Sequence, residues 1–221
     1  MKITISKDLR SKFNAARDQG QRPTCLAFAT SDCHSVARDA LDLLSPEYLF
    51  YHAQQRARLP ATEGATVQAI LEALETDGQP LENEWPYLSA IPSDLKKWSP
   101  PQGIGSIFRR CSAPHPASFD EIVATLNAGK PVLVILKLCD GFYRPDISGY
   151  INHAGKPDDR RLHAVIAAAH GRAGGEAVIL VRNSWGSSWG DQGYAWLTRS
   201  YIVPRLLDAI ILSEEPNVPA N

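Results

Sequence analysis

The chain has 221 residues, a formal net charge of −1 at pH 7, 44% hydrophobic residues and 21% charged residues. This length suits one large domain or two smaller subdomains that share a cleft, and the composition is typical of a soluble globular protein. The near-neutral charge and the lack of basic runs argue against a nucleic-acid-binding surface. The longest apolar runs, 131–136 and 164–169, are too short to cross a bilayer, so no membrane segment is expected.

The cysteines stand at positions 25, 33, 111 and 139, too few and too far apart for a disulfide framework. No Cys/His spacing matches a zinc site, so no metal is expected. Residues 1–8 lack the apolar core of a signal peptide. Together these features predict a reducing, cytoplasmic location, with export by another route as the alternative.

The first half of the chain begins with a predicted short strand in residues 1–10. A loop then leads to Cys25 at the start of a predicted helix. Apolar residues spaced three and four apart predict an amphipathic helix of about 18 residues that buries Cys33. These apolar residues are Leu26, Ala29, Cys33, Val36, Ala37, Ala40, Leu41 and Leu44.

Two further helices are predicted from their end signals. Ser45 suits an N-cap and Pro46 suits the first helical position, which indicates the start of the second helix. The third helix follows Thr66 and ends at Gly78. Residues 80–101 are rich in proline and tryptophan and predict an irregular hinge between the two halves.

The second half of the chain has a β-rich pattern. A short helix is predicted over 118–126, with Ser118 and Glu121 as a capping box. Buried strands are predicted at 131–136, 162–167, 177–181 and 194–197. Strands that are separated by turns rather than by helices indicate an antiparallel sheet or a small barrel, so the predicted class is α+β.

Cys25 is the residue whose position suggests chemistry. Unpaired N–H groups and the helix dipole stabilise a thiolate at a helix N-terminus, although a single cysteine is more often an ordinary core residue. A cysteine nucleophile also needs a base and a group that orients the base. His163 and Asn183 supply these types, while each alone is more often a core histidine or a turn residue. Their order along the chain favours the nucleophile interpretation.

Three separated segments of the chain resemble the papain family of cysteine peptidases, and the resemblance covers nearly its whole length. Gln19 lies six residues before Cys25, and the segment Ala27-Phe28-Ala29 follows Cys25 after Leu26. His163 begins the segment His-Ala-Val, and Asn183 begins Asn-Ser-Trp-Gly. Further matching landmarks stand at 44–47, at Gly64, at 85–87, at 131–132, at 189–190 and at 193–194.

The resemblance implies a papain-like fold in a single peptidase domain over 1–221. Its helical left subdomain is expected over 11–107, and its antiparallel, barrel-like right subdomain over 1–10 and 108–221, with the active-site cleft between them. It also implies a cysteine-type endopeptidase that needs no metal and no organic cofactor.

The resemblance further implies roles for individual residues. Cys25 is the thiolate nucleophile, and His163 is its imidazolium partner, general acid and later general base. Asn183 orients the ring of His163, and Gln19 donates its side-chain amide to the oxyanion. Trp185 covers the pair formed by Asn183 and His163 and excludes water from it.

Substrate-binding residues are also implied by the resemblance: Gly64, Ala65, Ile135, Leu162, Ala164 and Trp185. The aliphatic members of this set predict a small apolar pocket for an aliphatic or aromatic P2 side chain. Several positions depart from the family pattern. Arg22 stands where the family has a disulfide-forming cysteine, and Leu26 replaces a tryptophan, which is expected to reshape the primed side of the cleft.

The expected partners are a peptide or protein substrate and a protein inhibitor, with the chain as a monomer. Family enzymes often carry an inhibitory pro-region, and none is expected before Lys2. We therefore expect restraint by narrow specificity, an inhibitor or export, and a bacterial type of family member. Two alternatives stay open: acyl or amide transfer on the same fold, and a non-catalytic binding module.

Overall fold

The computed structural model describes residues 2–91, 93–151, 155–213 and 215. The chain forms two compact units. The sheet unit comprises Met1–Asp18 and Pro114–Ile211, and the helical unit comprises Gln19–Ala113 and Leu212–Asn221. That both units are subdomains of one peptidase domain stays a prediction.

Helices and strands are divided unequally between the two units. The helices are α1 (Cys25–Ala37), α2 (Pro46–Ala57), α3 (Val67–Thr76), α4 (Phe119–Asn127) and α5 (Arg199–Ile202). The strands are β1 (Ile3–Asp8), β2 (Ser112–His115), β3 (Val132–Lys137), β4 (Tyr150–Ile151), β5 (Leu162–Ala173), β6 (Glu176–Arg182), β7 (Tyr194–Thr198) and β8 (Leu206–Leu212). The predicted α+β class is confirmed. Among the described residues, no helix is both long enough and apolar enough to cross a membrane.

The helical unit is built on α1, which is buried on all sides from Leu26 to Val36. The predicted amphipathic helix of about 18 residues is therefore wrong in two respects. The helix has 13 residues and ends at Ala37, two residues before Asp39, which adopts a positive φ of 52°. Beyond that end Leu41 is 63% exposed, because the chain no longer follows the helical period that placed it in the buried stripe.

One glutamine from outside the helix bonds two of the buried polar side chains of α1. The Gln79 amide donates to Ser31 Oγ at 2.5 Å and to the Ser45 carbonyl at 2.9 Å. Its Oε1 lies 3.1 Å from His34 Nδ1. A helix with polar groups on every face can be buried only when such partners exist, because an unpaired buried polar group is costly.

The starts of α2 and α3 follow the predicted cap signals. Ser45 is the N-cap of α2 with Pro46 at its first position, and Ser45 Oγ accepts from Tyr48 N at 3.1 Å. Thr66 caps α3 in the same way, accepting from Ala69 N at 3.2 Å. The predicted capping box at Ser118 is wrong, because this N-cap of α4 makes no side-chain cap bond.

The described strands form one eight-stranded sheet in the order β2-β8-β3-β5-β6-β7-β4, and β1 pairs with β5 antiparallel. The short β4 pairs with β7 in parallel, so the sheet is not wholly antiparallel. The sheet forms an open path, which corrects the barrel-like expectation. The strands β2, β4 and β8 were not predicted.

One face of the sheet packs against α4 and α5 to form the main core of the sheet unit. Its buried residues include Leu9, Ile122, Leu126, Val134, Leu136, Val165, Val181, Leu197 and Tyr201. This core fixes the strands β5 and β6. His163 lies near the start of β5, and Asn183 follows the end of β6.

Candidate active site

Cys25 is the first residue of α1 and is partly buried in the helical unit. Thr24 precedes it as N-cap, with φ −107° and ψ 12°, and its side chain makes no cap bond. The backbone N–H groups of the first helical turn therefore point towards the end of the helix where the thiol lies. This end carries the positive pole of the helix dipole, which favours the thiolate over the thiol.

The loop before Cys25 holds the side chain of Gln19 in a defined orientation. Gln19 is buried, and its Nε2 donates to the Arg22 carbonyl at 2.8 Å. The Gln19 carbonyl accepts from the Tyr87 hydroxyl at 2.7 Å, and that hydroxyl lies 2.9 Å from Thr24 Oγ1. Because the Tyr87 proton is used for Gln19, Thr24 is the donor in the second bond. Both ends of the loop are thus attached to one tyrosine.

His163 and Asn183 form a buried pair in the sheet unit. His163 is the second residue of β5 and stands opposite Leu136 in β3, which fixes its backbone. Its Nε2 lies 2.7 Å from Asn183 Oδ1, and this oxygen also accepts from Ser184 N at 2.8 Å. An amide oxygen accepts and does not donate, so Nε2 carries the proton and Nδ1 is the second ring nitrogen.

Aromatic rings surround the His163 imidazole within the same unit. The ring centroid of Trp185 lies 4.7 Å from that of His163, and Phe142 meets His163 edge-on at 5.8 Å. Tyr143 stacks on Trp185 with centroids 5.2 Å apart and an interplanar angle of 16°. Trp189 donates its indole N–H to the Phe142 carbonyl at 3.2 Å. Apolar surroundings of this kind strengthen the hydrogen bond between His163 and Asn183.

The aromatic residues Phe142 and Tyr143 were missed by sequence reasoning. They lie in a 3-10 turn, Asp140–Tyr143, which has no hydrophobic period to identify it. Their only sequence signal is an aromatic pair directly after Asp140 and Gly141.

The predicted substrate residues divide between the two units. In the sheet unit Ile135 stands directly opposite Ala164, and both are buried, while Leu162 is 54% exposed at the start of β5. In the helical unit Gly64 is exposed and Ala65 is partly buried, just before α3. A Cβ at Gly64 would lie 3.8 Å from the Pro23 carbonyl, so Gly64 borders the loop before Cys25.

The four cysteines form no disulfide bond with one another, and their exposure differs. Cys33 is buried, as predicted, and Cys139 is buried as well. Cys111 is partly exposed. Partial burial and the carboxylate of Glu75, 3.7 Å from its sulfur, raise the pKa of Cys111. In the described part of the chain, no group of three His, Cys, Asp or Glu side chains could hold a metal ion.

Comparison with known proteins adds a family to this geometry. A sequence model described as "Papain family cysteine protease" matches residues 3–204. Cysteine proteinase 3 of Entamoeba histolytica is 28% identical over 200 residues, which cover 88% of this chain and 62% of that protein. Pro-cathepsin H of Mus musculus is 26% identical over 204 residues, covering 88% and 60%. The chain thus spans about three fifths of the length of these curated relatives.

Solved structures show the same fold. Xylellain, a cysteine protease from Xylella fastidiosa, aligns with a TM-score of 0.76 and 20% identity, covering 96% of this chain and 86% of that one. A cysteine protease of Carica candamarcensis in complex with E-64 aligns with a TM-score of 0.75 and 20% identity, covering 95% and 98%. At such identity the likeness concerns the fold, which is papain-like.

Proposed function

Because the chain belongs to the papain family of cysteine proteases, we propose that it hydrolyses peptide bonds with Cys25 as the nucleophile. The observation that carries the proposal is the hydrogen bond between His163 Nε2 and Asn183 Oδ1, at 2.7 Å. In this bond the Nε2–H group donates to Asn183, so its proton stays on Nε2. Nδ1 is then the nitrogen that can gain and lose a proton during the reaction.

The proposed reaction begins with the Cys25 thiolate and the His163 imidazolium. The thiolate attacks the carbonyl carbon of the substrate, and the C=O electron pair moves to the oxygen. Gln19 Nε2 and the backbone N–H of Cys25 donate to this oxyanion. As the oxyanion collapses, Nδ1 of His163 gives its proton to the leaving amine, and a thioester on Cys25 remains.

Hydrolysis of the thioester completes the proposed cycle. Nδ1 of His163 takes a proton from water, whose oxygen attacks the thioester carbonyl. The carboxylic acid product leaves, and the Cys25 thiolate and the imidazolium are restored. Asn183 acts as a positioning residue throughout, because it keeps the ring in one tautomer and one orientation.

The chain offers an internal control for the reactivity of Cys25. Cys111 is also partly exposed, but its pKa is raised by partial burial and by Glu75. We expect an epoxide that alkylates activated thiols to modify Cys25 at neutral pH at least about 100 times faster than Cys111, as measured by mass spectrometry of the full chain. Equal rates at the two cysteines would contradict the proposal.

The reaction itself is tested with a peptide library and the Cys25→Ala variant. Wild type is expected to cleave peptides, and Cys25→Ala to lose on the order of 10⁴-fold or more in kcat. Added amine tests acyl transfer: if the amine product exceeds the acid product at low amine concentration, transfer replaces hydrolysis as the function. A wild-type chain that binds peptides without cleaving them would be a binding module.

The substrate preference is part of the proposal. Ala65, Ile135, Leu162 and Ala164 are small or aliphatic, which favours an aliphatic or aromatic P2 side chain. The cleavage-site profile of the same library tests it, and a charged P2 preference would contradict it. A peptide or protein substrate and a protein inhibitor are the proposed partners. The monomeric state, the cytoplasmic location and independence of cofactors stay predictions.

The orienting role of Asn183 has a matched control in the same unit. His170 Nε2 lies 2.8 Å from Asn127 Oδ1, which repeats the contact of His163 and Asn183. We expect Asn183→Ala to lower kcat by about 100-fold, because an unoriented imidazole is a poor acid and base. Asn127→Ala is expected to leave kcat within about twofold of wild type. Steady-state kinetics on one peptide substrate measure both, and equal effects would remove the special role of Asn183.

A further inference from the structure

Arg22, three residues before Cys25, forms a buried ion pair with Glu47 of α2. The Arg22 side chain is 5% exposed and the Glu47 side chain is fully buried. The two are joined by a pair of hydrogen bonds, from Nη1 to Oε2 at 2.5 Å and from Nη2 to Oε1 at 2.9 Å. Such a bidentate pair fixes the plane and the direction of the guanidinium as well as its distance.

The Glu47 carboxylate has further donors within the helical unit. Leu88 N donates to Oε2 at 3.0 Å, and Trp98 Nε1 donates to Oε1 at 2.7 Å. Arg22 Nη1 also donates to the Leu88 carbonyl at 2.7 Å. With four donors the carboxylate uses its full acceptor capacity, so its burial is compensated.

Aromatic rings enclose the guanidinium. Arg22 Cζ lies 5.0 Å from the ring centroid of Tyr87 and 5.5 Å from that of Phe50. The hydroxyl of the same Tyr87 donates to the Gln19 carbonyl. The Arg22 side chain is therefore held by α2, by the segment 88–98 and by the tyrosine that also holds the loop.

The backbone of Arg22 faces in the other direction. Its carbonyl accepts from Gln19 Nε2 at 2.8 Å and from Thr24 N at 2.9 Å. One residue thus connects a rigid, buried anchor to the side chain of Gln19 and to the N-cap of α1. Any rotation of the Arg22 peptide would move the Gln19 amide and the residue before Cys25 together.

We propose that Arg22 and Glu47 are positioning residues, whose ion pair sets the orientation of the Gln19 amide in the oxyanion site. The inference rests on the proposed function, because it concerns the role of Gln19 in that reaction. It differs from a purely structural role in a measurable way. A buried ion pair can often be replaced by apolar side chains without loss of stability, so fold and orientation can be separated.

The test is a double-mutant cycle on the full chain. It combines the variant Arg22→Met/Glu47→Leu, called the apolar pair, with Gln19→Ala. The apolar pair is expected to lower kcat by about 10- to 100-fold with KM within about twofold, because a displaced catalytic group costs rate more than binding. In the Gln19→Ala background the same pair is expected to change kcat by less than about twofold. If the apolar pair lowers kcat by the same factor in the wild-type and in the Gln19→Ala background, the two effects are independent and the proposal is overturned. A wild-type kcat in the apolar pair would overturn it too.

Alkylation of Cys25 by iodoacetamide separates orientation of Gln19 from damage to the thiolate. This small reagent forms no oxyanion, so its rate is expected to stay within about threefold of wild type in the apolar pair. A parallel fall in alkylation and in kcat would show that the pair supports the nucleophile rather than Gln19. Arg22→Lys keeps the charge without the bidentate geometry, and we expect it to recover part of the lost kcat.

A charge control lies on the same helix as Glu47. Arg56 pairs with Asp77 at 2.6 Å on the surface of the helical unit and has no bond to the loop before Cys25 in the described contacts. Arg56→Met is expected to leave kcat within about twofold of wild type. If Arg56→Met lowers kcat as much as the apolar pair does, loss of charge alone explains the effect.

An NMR measurement does not depend on activity. The two protons of Gln19 Nε2 are expected to give separate, slowly exchanging resonances in wild type, and to broaden or exchange faster in the apolar pair or, if that variant does not fold, in Arg22→Lys. Unchanged resonances would overturn the inference. A wild-type chain without peptidase activity would instead contradict the proposed function, and this measurement would still report whether the pair orients Gln19.

Discussion

The two units hold their candidate catalytic residues by different means. In the helical unit, Gln19 and Cys25 lie on a loop and at a helix start, and the loop is held by Tyr87 and by the buried charge of Arg22. In the sheet unit, His163 is held by strand pairing, and its ring is enclosed by aromatic side chains.

This difference follows from the backbone on which each group lies. A strand in a sheet has its position fixed by its neighbours, so a side chain at its end needs only contacts that orient the ring. A loop has no such ladder, and its backbone groups must be bonded by side chains from elsewhere. Polar anchors are directional but sensitive to protonation, whereas aromatic packing is insensitive to pH and sensitive to volume.

The aromatic side of the comparison is tested at Phe142, which is fully buried. It contacts the rings of His163, Trp185 and Trp189 at centroid distances of 5.1 to 5.8 Å. We expect Phe142→Ala to destabilise the protein by about 3–5 kcal/mol, because a large ring leaves a cavity. The free energy of unfolding, measured by urea denaturation, checks this value.

Phe142→Leu is the matched control, because it keeps most of the volume and loses the ring. Its cost is expected to stay below about 1.5 kcal/mol. If Phe142→Ala costs no more than Phe142→Leu, packing around His163 does not depend on the volume at this position.

The polar side of the comparison is tested by pH at His34, in the last turn of α1. Burial, opposed by the hydrogen bond to Gln79 and assisted by the charges of Arg110 and Arg38, lowers the pKa of His34 to about 4. Its Nε2 is buried without a hydrogen-bond partner among the described residues. A proton on Nε2 would therefore place an uncompensated charge in the core of the helical unit.

The sign of the expected pH effect follows from the two protonation states. Between pH 6.5 and pH 4 the unfolded chain binds a proton at His34 that the folded chain does not. The contribution of His34 to the free energy of unfolding is therefore fully present above pH 6.5. It falls as the pH decreases, and about 3 kcal/mol is lost at pH 4. His34→Gln is expected to remove this part of the pH dependence, as urea denaturation at pH 7.5 and pH 4 would show.

His170 provides the comparison from the sheet unit. Burial also lowers its pKa, but its Nε2 has a partner in Asn127. We expect His170→Gln to change the pH dependence of stability less than His34→Gln does. A larger effect at His170 would contradict the expectation that stability depends more on pH in the helical unit than in the sheet unit.

Local signals allowed much of this molecule to be predicted. Ser45 with Pro46, and Thr66 with Gly78, define α2 and α3 because cap chemistry depends on neighbours in sequence. Runs of apolar residues predicted β3, β5, β6 and β7 for the same reason. The alternation of a helical and a β-rich half was enough to predict the α+β class.

Features that depend on distant contacts could not be predicted. The polar residues of α1 are buried because Gln79 and others reach them, which no helical period reveals. Arg22 and Glu47 were not recognised as a buried pair, since charged residues far apart in sequence usually lie on the surface. The sheet was expected to resemble a barrel, but it is open. The number and length of strands read from a sequence do not determine whether a sheet closes.

The smallest predicted effect compares a helix cap in each unit. Ser45 Oγ accepts from Tyr48 N at 3.1 Å and donates to the Trp85 carbonyl at 2.6 Å, and the residue is fully buried. Ser118 stands at the same position of α4 and makes no side-chain cap bond. We expect Ser45→Ala to cost about 2 kcal/mol of unfolding free energy, the upper end for a lost cap, because a buried carbonyl also loses its donor. Ser118→Ala is expected to stay within about 0.5 kcal/mol of wild type. Urea denaturation measures both values. If Ser45→Ala and Ser118→Ala lower the free energy of unfolding equally, the helical unit depends on side-chain hydrogen bonds no more than the sheet unit does.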